Sequence, residues 1–358
     1  MKSTPLDRWI PDLHKPLVIA GPCSAESEEQ VLTIAHAVNS NPAVKIFRAG
    51  IWKPRTRPNN FEGVGEVGLS WMKKVKSETS LLTSIEVANA RHIELALKYD
   101  IDILWIGART TASPFAVQEI AEALQGTNIP VMVKNPVNAE LPLWIGALER
   151  INKSGTNKLI AIHRGFTGVG NSIYRNLPMW EQPMELKRLL PELPIICDPS
   201  HIAGDSNLIE SLSQKAIDLD LDGLMIETHQ DPPNAISDAK QQVTPKHLDE
   251  ILNNLTNKTE YSLSGNFENN IEILRAQIDR FDNELIGLLK NRMQVVEQIG
   301  KEKEKNNITA LQIHRLAQIM EERTKKAEAL GISKEYITEI FKLIHSESLK
   351  LQTRLQKK

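Results

Sequence analysis

Cysteine is scarce in this sequence: Cys23 and Cys197 are the two in 358 residues. Two distant thiols cannot form the disulfide framework of a small secreted scaffold, so a reducing cytoplasm is expected. No apolar run approaches the ~18 residues of a membrane span, and Met1-Lys2-Ser3-Thr4-Pro5 has no apolar signal core. Neither sign of charge dominates, since 43 Lys and Arg face 45 Asp and Glu. That balance gives no case for nucleic acid or an anionic membrane as partner. A glycine-rich dinucleotide fingerprint is also missing, which removes the commonest nucleotide-binding reading.

What is present is a globular composition, 41% hydrophobic and 25% charged, over a length that suits two domains or one large barrel with an appendage. Short apolar runs alternate with helical patterns through the first two thirds of the chain. The runs are Leu17–Ala20, Val44–Phe47, Leu81–Ile85, Asp102–Ile106, Pro130–Val133, Lys158–Ile162, Pro194–Cys197 and Gly223–Ile226. Such β-then-α units predict an α/β chain with a (β/α)₈ barrel. An open doubly wound sheet is the alternative, but it usually has fewer strands.

Chemistry in a parallel barrel sits at the carboxyl ends of its strands. Six cations follow the candidate strands there: Arg48, Lys53, Arg55, Arg109, Lys134 and Arg164. They would repel one another unless anions occupied the mouth, and phosphates and carboxylates are the natural ligands. Strand seven ends in Asp198-Pro199-Ser200-His201, strand eight in Glu227-Thr228-His229, and Ser237-Asp238 follows. His201, Glu227 and Asp238, with Cys23 after strand one, offer a mixed donor set. It suits a borderline transition ion (manganese, iron, cobalt or zinc) better than magnesium. His163 and His229 also reach the mouth and read as supporting or structural residues.

Gly21-Pro22-Cys23-Ser24, Lys53-Pro54-Arg55-Thr56-Arg57-Pro58, Ile106-Gly107-Ala108-Arg109, Asp198-Pro199-Ser200-His201, Glu227 and Ser237-Asp238 together resemble 3-deoxy-D-arabino-heptulosonate 7-phosphate (DAHP) synthases. The likeness covers roughly residues 14–252 and is strongest to the short, barrel-only subfamily. It implies condensation of phosphoenolpyruvate with erythrose 4-phosphate. It also implies one divalent ion per barrel, on Cys23, His201, Glu227 and Asp238. Arg48, Lys53, Ala108, Arg109, Lys134 and Arg164 would hold phosphoenolpyruvate, with Lys53 also counted as catalytic. Arg55 and Thr56 would grip the aldose phosphate. The related octulosonate 8-phosphate synthases share the barrel and are the alternative, but the Lys53–Thr56 loop and Gly107-Ala108-Arg109 resemble them less. For the base that activates water, Glu86 and Asp198 are the candidates.

From Asn253 the pattern breaks into a polar stretch that reads as a linker. The expected organisation is a barrel over 1–254, a linker over 255–268 and a helical domain over 269–358. In the last part Leu274, Ile278, Phe281, Leu285, Leu288, Arg292, Val295 and Ile299 alternate spacings of four and three, a heptad seam with an arginine in one slot. A helix this long needs a partner chain to cover it. Lys303 shares the face of Arg292, Arg275 faces elsewhere, and Ser348 and Gln352 are one turn apart. Periodicity alone favours an antiparallel helical oligomerisation module with charged flanks over a catalytic one.

Leu274-Arg275…Ile278-Asp279, Arg292, Lys303, Arg315, Ser348 and Gln352 also resemble the all-helical chorismate mutases, which form intertwined dimers. The resemblance implies that Arg292 and Arg315 bind substrate carboxylates, with Ser348 also in the substrate site and Arg275 arriving from the second subunit. Lys303 and Gln352 would act on the ether oxygen. Leu316 departs from the glutamate usual in the family, which bonds the substrate hydroxyl. Two such domains imply a bifunctional enzyme of aromatic biosynthesis, a homodimer through the helices, with chorismate or prephenate restraining the barrel. The alternative for the tail is a non-catalytic sensing and dimerisation module.

Overall fold

A computed structural model describes residues 1–54, 61–168, 172–256 and 265–355. It divides into two compact units, Met1–Glu260 and Tyr261–Lys358.

In the first unit eight parallel strands close into a barrel in chain order. They are β1 (Leu17–Gly21), β2 (Val44–Ala49), β3 (Leu82–Val87), β4 (Ile103–Ile106), β5 (Val131–Lys134), β6 (Leu159–His163), β7 (Ile195–Cys197) and β8 (Gly223–Glu227). Each coincides with an apolar run expected from sequence, shifted by one or two residues at its ends. Helices α1 (Glu28–Asn39), α2 (Val67–Glu78), α3 (Ala90–Lys98), α4 (Ala108–Thr111), α5 (Pro114–Ala123), α6 (Leu141–Lys153), α7 (Glu181–Leu189), α8 (Pro199–Ala203), α9 (Ile209–Asp218) and α10 (Pro245–Asn254) complete it. Helix starts follow local chemistry. Ser27, Asn89, Asp198 and Thr244 each accept a bond from the amide three residues on, and Pro199 and Pro245 fill first-turn positions that need no donor.

The barrel has two cores because strand side chains alternate faces. One row points inward: Leu17, Ile19, Ile46, Ile103, Trp105, Met132, Ile160, Ile162, Ile196 and Met225 pack together, and Leu6 and Ile10 join the same cluster. The other row, including Val18, Ala20, Phe47, Ile85, Leu104, Val133, Ala161 and Leu224, packs against the helices. Full burial of each large side chain is worth roughly 1.5–3 kcal/mol. The register is therefore fixed, because a one-residue slip would exchange the two rows.

The second unit contains α11 (Gly265–Lys305), α12 (Ile313–Ala329) and α13 (Lys334–Leu355). Helix α11 begins inside the stretch read as linker, at Gly265. Among the described residues of this unit the heptad seam is left largely exposed: Leu274 is 53% exposed, Phe281 58% and Leu288 66%. Packing inside the unit uses other positions, among them Val296 and Ala327. No helix among the described residues is long and apolar enough to cross a membrane.

Candidate functional site

The inward parity of the strands builds the barrel site. Two residues beyond Ile46, Met132, Ile162, Ile196 and Met225, the same row delivers Arg48, Lys134, Arg164, Asp198 and Glu227 to the mouth. These ionic groups are all at most 9% exposed. The next inward position after Trp105 is Gly107, and a Cβ there would lie 2.0 Å from Glu86 Oε1. Glycine is what lets the Glu86 carboxylate lean across β4.

Buried charges are tolerable only when paired. Arg48 Nη2 lies 3.1 Å from Glu227 Oε1, and Lys134 Nζ lies 2.8 Å from Asp198 Oδ2. The Arg48 guanidinium also sits over the Trp105 ring, 4.9 Å from its centroid. Yet Arg48 Nε and Nη1 are buried without a hydrogen-bond partner. Arg164 Nη1 donates to two neutral oxygens, Asn176 Oδ1 at 2.8 Å and the Gly165 carbonyl at 3.3 Å. Burial pushes the Arg164 guanidinium down to about 10 and the Lys134 ammonium below its ordinary value. A cleft at the mouth brings together Lys53, Glu86, Arg109, Lys134, Arg164 and His201. Unused donors on buried cations invite an anion.

Beside the cations lies the donor cluster. One ligand atom each from Cys23, Glu227 and Asp238 falls within 4.8 Å of the others. Cys23 Sγ is 3.3 Å from Asp238 Oδ2, and Lys53 Nζ donates to that sulfur at 3.0 Å and to the Cys23 carbonyl at 2.9 Å. Burial pushes the Cys23 thiol up to about 11, with Glu227 and Asp238 adding to it. For Lys53, burial is outweighed by Cys23, Glu227 and Glu86, so its ammonium stays charged. Burial likewise opposes ionisation of Asp238, but Arg175, His201 and Lys53 hold its carboxyl well below the usual range. A thiol squeezed between two carboxylates is a donor set that a divalent cation would relieve.

The fourth expected ligand, His201, stands at the edge of this group. Its Nδ1 lies 2.8 Å from Asp198 Oδ2 and its Nε2 lies 3.7 Å from Glu227 Oε1. A carboxylate behind one ring nitrogen fixes the imidazole and turns the other nitrogen toward the cluster. Burial pushes the imidazole down, toward the neutral form a ligand needs. Asp198 is fully engaged. One oxygen caps His201 N at 3.0 Å, the other meets Lys134, and against the cost of burial His201 and Lys134 hold it far below the carboxylate range. His163 is buried and pushed down to about 3 by that burial, beside Trp180 and Phe166. His229 Nδ1 accepts from Asp231 N. Arg55 and Thr56 lie outside the described residues.

Sequence reasoning missed three residues at this mouth. Arg175 Nη1 donates to Asp238 Oδ1 at 3.0 Å and to Gln241 Oε1 at 2.5 Å. Gln241 Nε2 donates to Glu227 Oε2 at 2.7 Å. Asn176 joins Arg164 to the carbonyl of His201. None sits at a strand end, where side-chain parity carries a residue into the mouth.

In the helical unit, Arg292 Nη1 donates to Ser348 Oγ at 2.7 Å, and Lys303 Nζ donates to Gln352 Oε1 at 3.1 Å and to the Ala310 carbonyl at 2.7 Å. Ser348 and Gln352 are buried. Burial lowers both cations from their ordinary values, and Arg323 adds to the shift of Arg292. No carboxylate among the described residues lies within ion-pair distance of either. Arg275 and Arg315 are not gathered here. Arg275 pairs with Glu272 at 2.7 Å and Arg315 donates to Gln318 at 2.9 Å, both on the surface of the unit.

A closed parallel barrel with buried cations around a thiol–carboxylate cluster defines an enzyme scaffold for anionic substrates. The profile of the DAHP synthetase I family matches residues 9–264, and the chain belongs to that family. Chorismate mutase type II matches residues 274–353. The chain is thus a two-domain enzyme, a DAHP synthase followed by a chorismate mutase. Among curated relatives, it is similar to a phospho-2-dehydro-3-deoxyheptonate aldolase of Thermotoga maritima. They are 32% identical over 235 residues, 66% of this chain and 67% of the relative. It is also similar to a 2-dehydro-3-deoxyphosphooctonate aldolase of Geobacter sulfurreducens, 27% identical over 270 residues, 67% of this chain and 92% of that one. Among solved structures, the DAHP synthase of Thermotoga maritima superposes with a TM-score of 0.62 at 28% identity, covering 70% of this chain and 72% of that one. A truncated form of the Thermotoga enzyme gives 0.60 at 26%, covering 70% and 90%.

Proposed function

We propose that the barrel condenses phosphoenolpyruvate with erythrose 4-phosphate, releasing DAHP and inorganic phosphate, and that the helical unit rearranges chorismate to prephenate. The observation that carries the first reading is the set of unpartnered donors on buried Arg48, next to the cleft that brings together Lys134 and Arg164 and beside the Cys23, Glu227 and Asp238 cluster. These cations, with Ala108 and Arg109, hold the phosphate and carboxylate of phosphoenolpyruvate, and Arg55 and Thr56 hold the aldose phosphate. Cys23, Glu227 and Asp238, with His201 completing the set, would hold a divalent ion, which would supply Lewis acidity for the aldehyde. Lys53 keeps a positive charge beside that group. Carbon 3 of phosphoenolpyruvate then attacks the aldehyde carbon, water adds at carbon 2, and phosphate leaves. Holding both substrates in attack geometry removes several kcal/mol of entropy from the barrier. Of the two candidate bases, Asp198 is a poor proton acceptor because it is held ionised by its partners. Glu86, which lines the cleft, is the better one.

In the helical unit Lys303 and Gln352 stabilise charge on the ether oxygen, a transition-state effect. Arg292, Ser348 and Arg315 hold carboxylates, and Arg275 comes from a second copy. The exposed seam of α11 supports a homodimer, and each half-exposed side chain it covers contributes on the order of 1 kcal/mol. Prephenate or chorismate bound in the helical unit restrains the barrel by favouring its less active state.

One assay tests both activities. Purified, metal-replete protein is offered phosphoenolpyruvate with either erythrose 4-phosphate or arabinose 5-phosphate, and separately chorismate. The expected result is condensation with the four-carbon aldose and formation of prephenate. Preference for arabinose 5-phosphate would favour the octulosonate reading, which the Geobacter relative shares. No prephenate would leave the tail as a sensor.

A further inference from the structure

The two halves of the barrel mouth, cations on one side and metal-ligating groups on the other, are joined at one dipeptide. Asn176 is 6% exposed and uses both ends of its amide. Its Oδ1 accepts from Arg164 Nη1 at 2.8 Å, and its Nδ2 donates to the carbonyl of His201 at 2.6 Å. Its backbone amide donates to the Ile202 carbonyl at 3.2 Å, and that of Arg175 to the Ala203 carbonyl at 3.1 Å. The pair is thus laid along α8, the short helix that carries His201. The Arg175 side chain goes on to Asp238 Oδ1 and Gln241 Oε1, and Gln241 Nε2 reaches Glu227 Oε2. The approach is tight: a Cβ on Gly204, at φ +70°, would lie 2.5 Å from Arg175 Cβ. Only a short side chain that both donates and accepts can replace Asn176 without leaving a buried group unpaired. Aspartate would set its charge against the His201 carbonyl, and leucine would take the Asn176 amide from that carbonyl and leave Arg164 Nη1 with the Gly165 carbonyl alone.

We propose that Arg175 and Asn176 are positioning residues that couple the two halves of the mouth. An anion drawn onto Arg164 pulls on Asn176, and through the dipeptide and Gln241 orients His201, Asp238 and Glu227. Binding of phosphoenolpyruvate and binding of the divalent ion therefore tighten each other, and linkage makes the factor equal in both directions. The proposal rests on the metal reading above.

The test uses the full chain, stripped with chelator and titrated with Co²⁺ with and without phosphoenolpyruvate. Absorption of the cobalt–thiolate centre reports on Cys23. Phosphoenolpyruvate is expected to tighten cobalt about tenfold, in the ordinary range of coupling between sites, and to shift the ligand-field bands. Asn176→Leu should reduce that factor at least threefold, and Arg175→Gln should weaken cobalt binding even without phosphoenolpyruvate. Thermal melting identifies variants that fold. Native protein that binds no cobalt would overturn the metal reading and this proposal with it. Native cobalt affinity and spectrum indifferent to phosphoenolpyruvate would overturn the coupling alone, with no variant needed. A factor unchanged in a folded Asn176→Leu would overturn the role of the dipeptide.

Discussion

The two units of this chain solve the problem of burying apolar surface in opposite ways. The barrel encloses its own: the inward and outward rows of β1–β8 are covered on both faces, and even Arg48, Asp198 and Glu227 are nearly dry. The helical unit keeps little inside. Val296 and Ala327 are buried, whereas Ile278, Phe281, Leu285 and Leu288 are each more than half exposed. The barrel can therefore hold a preorganised site by itself. A helical site that rests on so small an interior would, in the proposed homodimer, depend on the second copy that covers α11. Charge follows the same division. In the barrel, buried Arg48 and Lys134 are matched by Glu227 and Asp198, while Arg292 and Lys303 rest on a hydroxyl, an amide and a carbonyl.

The comparison is sharpened most by removing metal. Chelation should lower condensation by about 10³-fold or more, since loss of Lewis-acid activation costs several kcal/mol, and leave prephenate formation within about twofold of native. Parallel assays of one stripped sample decide it, and full condensation without metal would count against the Cys23 cluster. Next comes Lys303→Ala. Mutase turnover should fall about 10²–10³-fold with little change in the Michaelis constant, because its charge acts mainly in the transition state. Weaker binding at normal turnover would contradict that assignment.

The proposed dimer of the helical unit can be attacked directly. Replacing Phe281 and Leu285 by aspartate should weaken self-association by about 100-fold, as two buried charges opposing like charges in a partner would do. Sedimentation velocity measures it, and unchanged association would place the dimer elsewhere. A chain ending at Asn254 should condense at near-native rates and lose the several-fold inhibition by prephenate expected of the whole. Inhibition retained by that shorter chain would move the sensor to the barrel.

A further effect, on stability and not on activity, concerns acid. His163 is held neutral to about pH 3 by burial, whereas an unfolded histidine titrates near 6.5. Between those values the unfolded chain binds the extra proton. Barrel stability should therefore fall as pH drops below about 6.5, by at most about 1.4 kcal/mol per unit from this residue, and be unaffected by it above. His163→Leu should flatten the slope in urea melts followed from pH 7 to pH 4.

Much of the barrel was legible because short apolar runs bounded by glycine or proline rarely mean anything but buried strands, and because a strand's parity carries straight into the residues after it. Arg48, Lys134, Arg164 and Glu227 were readable for that reason. Arg175, Asn176 and Gln241 were not, since their positions depend on how a loop lies over α8, and no periodicity encodes that. His201 was legible as a residue but not in its placement, which follows from the Asp198 cap. In the tail, the period of the seam was plain. What it faces was not, because spacing reports that a stripe exists and is silent on what covers it.

The strand parity has a further consequence for how this barrel tolerates change in length. Insert one residue into β6 ahead of Arg164 and every side chain beyond it trades faces, which would send the guanidinium among the helices and turn His163 toward the substrates. Insert two and the direction returns, but the whole end of the strand rises by about 6–7 Å, too far for Asn176 to follow. Loops at the opposite, amino-terminal ends of the strands face neither restriction. Deletions and insertions compatible with activity should therefore be confined to that rim and to the outer helices, and a library of random single-residue insertions would map the mouth by its silence.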